Sequence, residues 1–375
     1  MQETASIYLD YAATTPLDKE ILSKMMMVST HFGNPSSIHT LGKNAKTRLE
    51  RARELIANNI NADPNEIIFT SGATESNNTV LKSVEDENTL PHVITTRLEH
   101  KSILETLEQD KENIDYSFIE TGQDGRIDLT ALKSEITETT KLVSIHYVNN
   151  ETGTIQPIKE IAEFLKEEGI PLHIDAAQAL GHVPVDVKEL DIDYMSISGH
   201  KIGAPKGIGI LYVKNGSKLS PFILGGEQER NRRAGTENLI YAHAISIAVR
   251  KAVRDFDERS KKETELKEKF IRLLNESGVE FELNADKNTS PHIINVYFPF
   301  VTTDIMLTRL DLKGVYVSGG SACNAGTIQP SHVIRALYDK ERANHSIRFS
   351  INYMTTEEEI LKAVEILKEI YESLK

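Results

Sequence analysis

Asp175 closes the run Pro171-Leu-His-Ile-Asp175-Ala-Ala-Gln178, and Lys201 follows Tyr194-Met-Ser-Ile-Ser198-Gly-His200. An acid and a primary amine at the ends of two short apolar runs suit one cofactor, pyridoxal 5'-phosphate. The lysine forms a Schiff base with it, and the acid keeps its ring nitrogen protonated. A protonated ring withdraws electrons and stabilises a carbanion at the α-carbon of a bound amino acid. Such an acid should be a buried carboxylate paired with the pyridinium. Lys201, acting as base, needs its pKa lowered from about 10.4, and burial beside a cationic ring would do that. One lysine alone carries little of this; the constellation carries it.

Other residues fit around such a group. Ile67-Ile-Phe-Thr70-Ser-Gly72-Ala73-Thr74-Glu75-Ser76 reads as a strand, a glycine turn and a helix start. Free backbone N–H groups and the positive helix end attract a phosphate there, and the Thr74 hydroxyl can add a hydrogen bond. The same residues also read as a plain helix cap. Ser198 and His200 would supply further phosphate donors. The chain contains no G-x-x-x-x-G-K-[ST] run, which argues against a nucleotide P-loop. His100, in Arg97-Leu-Glu-His100, could stack on a flat ring and shuttle protons. Asn150 and Gln178 each follow a strand-like run, and either amide could meet the cofactor's phenolic oxygen. Cys323 is the only cysteine, set among Gly, Ser and Ala in Val317-Ser-Gly319-Gly320-Ser-Ala-Cys323-Asn-Ala-Gly326. A thiol in such a loop is expected to be exposed and reactive rather than buried. Arg348 lies in the strand-like run His345-Ser-Ile-Arg348-Phe-Ser. From the residues alone it is equally a fork for a substrate carboxylate and one half of a structural salt bridge.

These residues need a scaffold that brings strand ends together. Runs such as Pro91–Thr96 and Val143–Val148 read as strands, with helical patterns between them such as Ile158–Glu168, ending near Gly169. Alternation of this kind over the first part of the chain predicts a largely parallel sheet covered on both faces, with ligands at the carboxyl ends of its strands. A charged helical stretch from about Ala242 to Glu276 reads as a connecting helix. Beyond it, His292–Phe298, Gly314–Val317 and Ser346–Ile351 read as strands, and Thr356–Leu374 as a terminal helix. The expected fold class is α/β, with a large domain over 15–253. A smaller α+β domain is expected from 1–14 together with 254–375, carrying the cysteine loop.

The 375 residues suffice for two domains. A formal net charge of −13 argues against direct nucleic-acid binding through the bulk surface. No apolar stretch approaches a membrane span, and the N-terminus has no basic region followed by an apolar one. A single cysteine excludes an internal disulfide and a thiolate zinc cluster, so the expected location is the cytoplasm.

Taken together, the segments resemble the NifS/IscS-like cysteine desulfurases, a group of fold-type-I pyridoxal-phosphate enzymes in the class V aminotransferase family. The resemblance runs through Tyr8-Leu-Asp-Tyr-Ala-Ala-Thr-Thr-Pro16, Phe32-Gly-Asn-Pro-Ser36, Thr70-Ser-Gly-Ala-Thr-Glu-Ser76 and Val148-Asn-Asn-Glu151. It continues through Asp175-Ala-Ala-Gln178, Ser198-Gly-His-Lys201, Arg233-Ala-Gly-Thr236, Gly320-Ser-Ala-Cys323 and Ser346-Ile-Arg-Phe-Ser350. It implies Lys201 as the cofactor lysine and Cys323 as the persulfide nucleophile. It implies Asp175 on the ring nitrogen, His100 stacked on the ring, and Gln178 and Asn150 near the phenolic oxygen. Ala73, Thr74, Ser198 and His200 would surround the phosphate. Thr236 would reach the phosphate of a neighbouring subunit's cofactor, which implies a homodimer. Arg348, with Asn34, would hold the carboxylate of L-cysteine. No resident metal is implied, although Cys323 could ligate a transient iron–sulfur cluster.

Two departures stand out. The loop reads Cys-Asn-Ala-Gly where relatives often have Cys-Thr-Ser. The sequence also stops at Lys375, where housekeeping relatives carry a further segment that docks the iron–sulfur scaffold protein. The implied sulfur acceptor is therefore either such a scaffold or a dedicated partner such as a tRNA-thiolating enzyme. Rival readings are a selenocysteine lyase or an aminotransferase-like enzyme, a sulfur-relay partner without catalysis, and a nucleotide-binding module at the Gly72 turn.

Overall fold

The structure, a computed structural model, describes residues 6–84, 89–320 and 329–375. Its strands, in chain order, are β1 (Ile7–Tyr8), β2 (Ile67–Thr70), β3 (His92–Thr95), β4 (Asp115–Phe118), β5 (Thr140–His146) and β6 (Leu172–Asp175). They continue with β7 (Tyr194–Ser198), β8 (Gly209–Val213), β9 (Glu282–Leu283), β10 (Ile293–Tyr297), β11 (Val315–Tyr316) and β12 (Ser346–Ser350).

Seven strands form one sheet in the order β2-β8-β7-β6-β5-β3-β4. β4, β3, β5, β6 and β7 are mutually parallel, whereas β8 runs antiparallel to both β7 and β2. Side chains alternate across a strand, so a sheet buried on both faces needs apolar residues at consecutive positions. The strands meet that need. Ile67, Met195 and Ile210 enter one core, with the helices Thr40–Ile60, Ile158–Glu168 and Leu239–Arg254. Their neighbours Ile68, Tyr194 and Leu211 enter a second core, under the helices Ala73–Lys82 and Lys101–Gln109. The helix Ile158–Glu168 stops at Gly169, whose φ of 70° is the left-handed end that the sequence signalled.

A separate core gathers Ile7, Leu9, Leu266, Phe270, Phe298, Phe349 and Ile360. It lies under the three-stranded sheet β12-β10-β9 and the helices Phe256–Ser277, Thr303–Leu312 and Glu357–Leu374. The N-terminal segment therefore packs with residues more than half the chain away: β1 pairs in parallel with β11.

The single connecting helix expected over Ala242–Glu276 is two helices, Leu239–Arg254 and Phe256–Ser277, broken at Asp255. The break hands one pattern from core to core. Ala244, Ile245, Ala248 and Val249 are buried in the large core, while Leu266, Phe270 and Leu274 are buried in the small one. The Asp255 carboxylate binds Arg254 and Arg259, which flank it in sequence. The first helix is thus a core element rather than a mere connector.

No helix among the described residues is long and apolar enough to cross a membrane. Nor do they contain a cluster of three or more His, Cys, Asp or Glu fit to hold a metal ion.

Candidate active site

A cleft of about 450 Å³ opens at the carboxyl ends of β6 and β7. Ten of the residues singled out in the sequence line it: Ala73, Thr74, His100, Asn150, Asp175, Gln178, Ser198, His200, Lys201 and Arg348.

One wall is the N-terminus of the helix Ala73–Lys82. Gly72 is its N-cap and offers no side-chain bond, so the first amides of the helix face the cleft without a cap. The turn sits hard against the sheet. A side chain on Gly209 of β8 would place its Cβ 2.5 Å from Gly72 Cα, so only glycine lets the turn settle there. Glu75 braces the turn from behind. Its Oε2 accepts from the Ser71 amide at 2.9 Å and its Oε1 from Arg233 Nε at 3.0 Å. Burial pushes the Glu75 carboxyl up, and the Arg233 and Ser71 bonds outweigh it, so its pKa lies below the usual value.

Asp175 ends β6 and is buried. Its Oδ1 accepts from the Ala177 amide at 2.9 Å and its Oδ2 from Asn77 Nδ2 at 2.8 Å. His100 caps the helix Lys101–Gln109, and its Nδ1 accepts from the Ser102 amide at 3.1 Å. Burial lowers the His100 pKa, against the attraction of Asp175, so the ring is neutral near pH 7 and carries its proton on Nε2.

Lys201 leaves the short turn Gly199–Lys201 after β7. Its Nζ donates to Ala12 O and, at 2.9 Å, to Ala13 O. Ala12 O also accepts from Gln178 Nε2 at 2.8 Å. The N-terminal segment thus seats the lysine, and a carbonyl seat has no side-chain signature to read in a sequence. His200 bonds Thr14 Oγ1 at 3.1 Å, and its pKa is pushed down to about 4 by burial first and then by Lys201 and Lys206. Arg348, on β12, is buried and makes the structural salt bridge left open for it. One terminal nitrogen donates to Asp10 Oδ1 and the other to Asn150 O, each at 2.8 Å, while the side chain still lines the cleft.

Three expected residues lie elsewhere. Asn34 is exposed outside the cleft of its own chain, and its Oδ1 turns back to accept from the Ser36 amide at 2.9 Å. Thr236 is exposed and also outside it. Cys323 lies outside the described residues, although Gly320, just before that stretch, lines the cleft. Sequence reasoning missed Asn77 and Ser102. The only trace of Asn77 in the sequence is its place one helical turn after Thr74.

The chain matches the family model described as aminotransferase class-V over residues 7–362. It is 42% identical to the putative cysteine desulfurase IscS 1 of Bacillus subtilis, across 98% of this chain and 99% of that one. It is also 42% identical to a cysteine desulfurase IscS of Dictyoglomus turgidum, across 98% and 95% of the two chains. Among solved structures, a NifS-like protein superposes with a TM-score of 0.92 at 34% identity, covering 98% of this chain and all of that one. The structure titled SspA in complex with cysteine superposes with a TM-score of 0.83 at 35% identity, covering 94% of this chain and all of that one. The chain belongs to the cysteine desulfurases of the class-V aminotransferase family. Members of this family are pyridoxal-phosphate enzymes of fold type I, and the mixed seven-stranded sheet is their large sheet. The cleft of this cysteine desulfurase suits that cofactor on its own chemistry. An uncapped helix start waits for an anion, a buried carboxylate faces a cleft that also holds a primary amine, and a neutral imidazole lies beside them.

Proposed function

We propose that the protein converts L-cysteine to L-alanine, with the sulfur atom passing to Cys323 as a persulfide and on to an acceptor. The supporting observation is the convergence of Lys201, Asp175, His100 and Arg348 on one cleft that ends beside Gly320. The complex of SspA with cysteine supports L-cysteine as the substrate. Overall, cysteine plus the enzyme thiol gives alanine plus the enzyme persulfide, so the transfer balances without an outside oxidant.

Bound in the cleft, pyridoxal phosphate supplies an electron-withdrawing ring that stabilises negative charge at the substrate α-carbon. The residues supply the rest. Ala73, Thr74, Ser198 and His200 would hold the phosphate, and Asp175 would keep the proton on the ring nitrogen. Asn150 and Gln178 would orient the phenolic side, and His100 would lie against the ring. Lys201 would carry the cofactor and would serve as the base for the substrate's α-proton. Arg348 receives the substrate carboxylate, with Asn34 as its helper. The Cys323 thiolate is the nucleophile toward the substrate sulfur.

We further propose a cytoplasmic homodimer in which Thr236 serves the partner's cofactor. The large domain spans 15–253, and the small one 1–14 with 254–375. The acceptor is an iron–sulfur scaffold or a tRNA-thiolating enzyme. The test is alanine and sulfide release from L-cysteine in the presence of reductant, with and without added pyridoxal phosphate, beside a selenocysteine arm. Cofactor-dependent alanine with matching sulfide is expected. A folded, yellow protein that makes no alanine from cysteine would refute the activity. Cys323→Ser should keep the colour and stop turnover, whereas Lys201→Ala should lose the visible absorbance.

A further inference from the structure

Asn77 is fully buried on the helix Ala73–Lys82, one turn beyond the phosphate-facing residues. Its single amide nitrogen donates twice: to Asp175 Oδ2 at 2.8 Å and to Ser102 Oγ at 2.9 Å. Ser102 Oγ lies 2.8 Å from His100 Nδ1, and the Ser102 amide donates to the same nitrogen. A directional chain results. Asn77 gives one proton to the carboxylate and one to the serine, and the serine hydroxyl donates onward to the histidine. The amide fits only one way round, because the reverse would set its carbonyl against the Asp175 carboxylate. Asn77 Oδ1 accepts no hydrogen bond from any described residue. A buried carbonyl left unpaired costs stability, a cost that an apolar residue at this position would not carry.

We infer that Asn77 is a positioning residue that locks Asp175 and His100 into one hydrogen-bonded unit on two sides of the cofactor ring. This rests on reading the cleft as the pyridoxal-phosphate site. Asn77 holds Asp175 Oδ2 in place, while Asp175 Oδ1 is held separately by the Ala177 amide. Through Ser102 it keeps donors on His100 Nδ1, which fixes the Nε2–H tautomer. The charged and titratable groups acting on His100 are Asp175 and Glu151, which favour its protonation, and Lys201 and His332, which oppose it. A change confined to Ser102 alters none of the four.

Asn77→Ala and Ser102→Ala separate the two arms. Apo forms of the wild type and both variants are titrated with pyridoxal phosphate by visible absorbance. The loaded proteins are then titrated with pH, and kcat/KM for L-cysteine is measured across pH. Asn77→Ala should weaken cofactor binding by about tenfold or more, the scale of a lost bond to a charged group, and should shift the pH midpoint of the visible band. Ser102→Ala should bind the cofactor like the wild type. It should move the acidic limb of kcat/KM to higher pH, because His100 loses a donor to Nδ1 and protonates more readily. If Asn77→Ala changes only the melting temperature, the inference is overturned. If Asn77→Ala does not fold, Ser102→Ala decides alone, and an unmoved acidic limb overturns it. A wild type that takes up no pyridoxal phosphate would instead sink the underlying reading of the cleft.

Discussion

The Arg348 guanidinium spends one hydrogen bond on Asp10 and one on Asn150 O, and its Nε–H meets no acceptor among the described residues. Five N–H donors less these two bonds leave each terminal nitrogen one further proton for a ligand. Its partners therefore aim the fork rather than consume it. Arg348→Lys keeps the charge and loses the fork. It should raise KM for L-cysteine about 10- to 100-fold with the cofactor colour intact, and steady-state kinetics beside an absorbance scan would check this. An unchanged KM would remove Arg348 from the substrate site. At this scale the sequence was readable where chemistry demands a particular side chain at a strand end, as with Asp175, Lys201 and Arg348. It was unreadable where the work falls to backbone carbonyls, as at Ala12 and Ala13. It was also unreadable where a common amide acts through its neighbours, as at Asn77. Asn34 lies outside the cleft of its own chain for a related reason. An asparagine beside a turn readily bonds its own backbone, and this one does so.

The Gly72 turn owes its position to a glycine in another strand. Gly209 lies in β8 opposite Thr70, where an added Cβ would also come within 2.8 Å of Ile197 O. Gly209→Ala forces β8 and the Gly72 turn apart. The expected cost is about 1–3 kcal/mol in a thermal or urea melt, the range for overpacking a tight site. It should be accompanied by a weaker hold on pyridoxal phosphate in an absorbance titration. A variant with wild-type cofactor affinity would show that the turn tolerates displacement. Strands and helices were legible wherever period and punctuation agreed, as at Gly169 and at β6, β7 and β12. The helix break at Asp255 was hidden because both helices are strong formers and no Gly or Pro marks the join. Only the switch in which residues are buried, from Val249 to Leu266, reveals it.

Several histidines in the molecule are held neutral by burial. His173 is pushed down to about 4, bonded between Ser144 and Ser196, and His292 lies well below its ordinary value in a stack on His182. In the unfolded chain each would take a proton at about pH 6.5. The unfolded state therefore binds more protons than the folded one below that pH. The stability these groups contribute is complete above about 6.5 and is lost as pH falls toward their folded values. Each of the two fully buried rings contributes up to about 1.4 kcal/mol per pH unit in that window. Melting temperature should fall steadily from pH 7 to pH 5, and a flat profile would contradict the burial.

The seat of Lys201 also has a consequence in time. Ala12 and Ala13 are among the first residues made, yet the Ala12 amide is held by Ser350 Oγ, 338 positions away in sequence. Ser350 N in turn donates to Leu9 O at 2.7 Å, and Leu9 N donates to Tyr316 O. Gln178, His200 and Gly203 can hold the opening segment from one side, but a ribosome must finish nearly the whole chain before Ser350 can close it from the other. Loop closure over such a span is slow, and contacts this distant form late. The seat of Lys201 is therefore completed only when the last strand of the small sheet has been made.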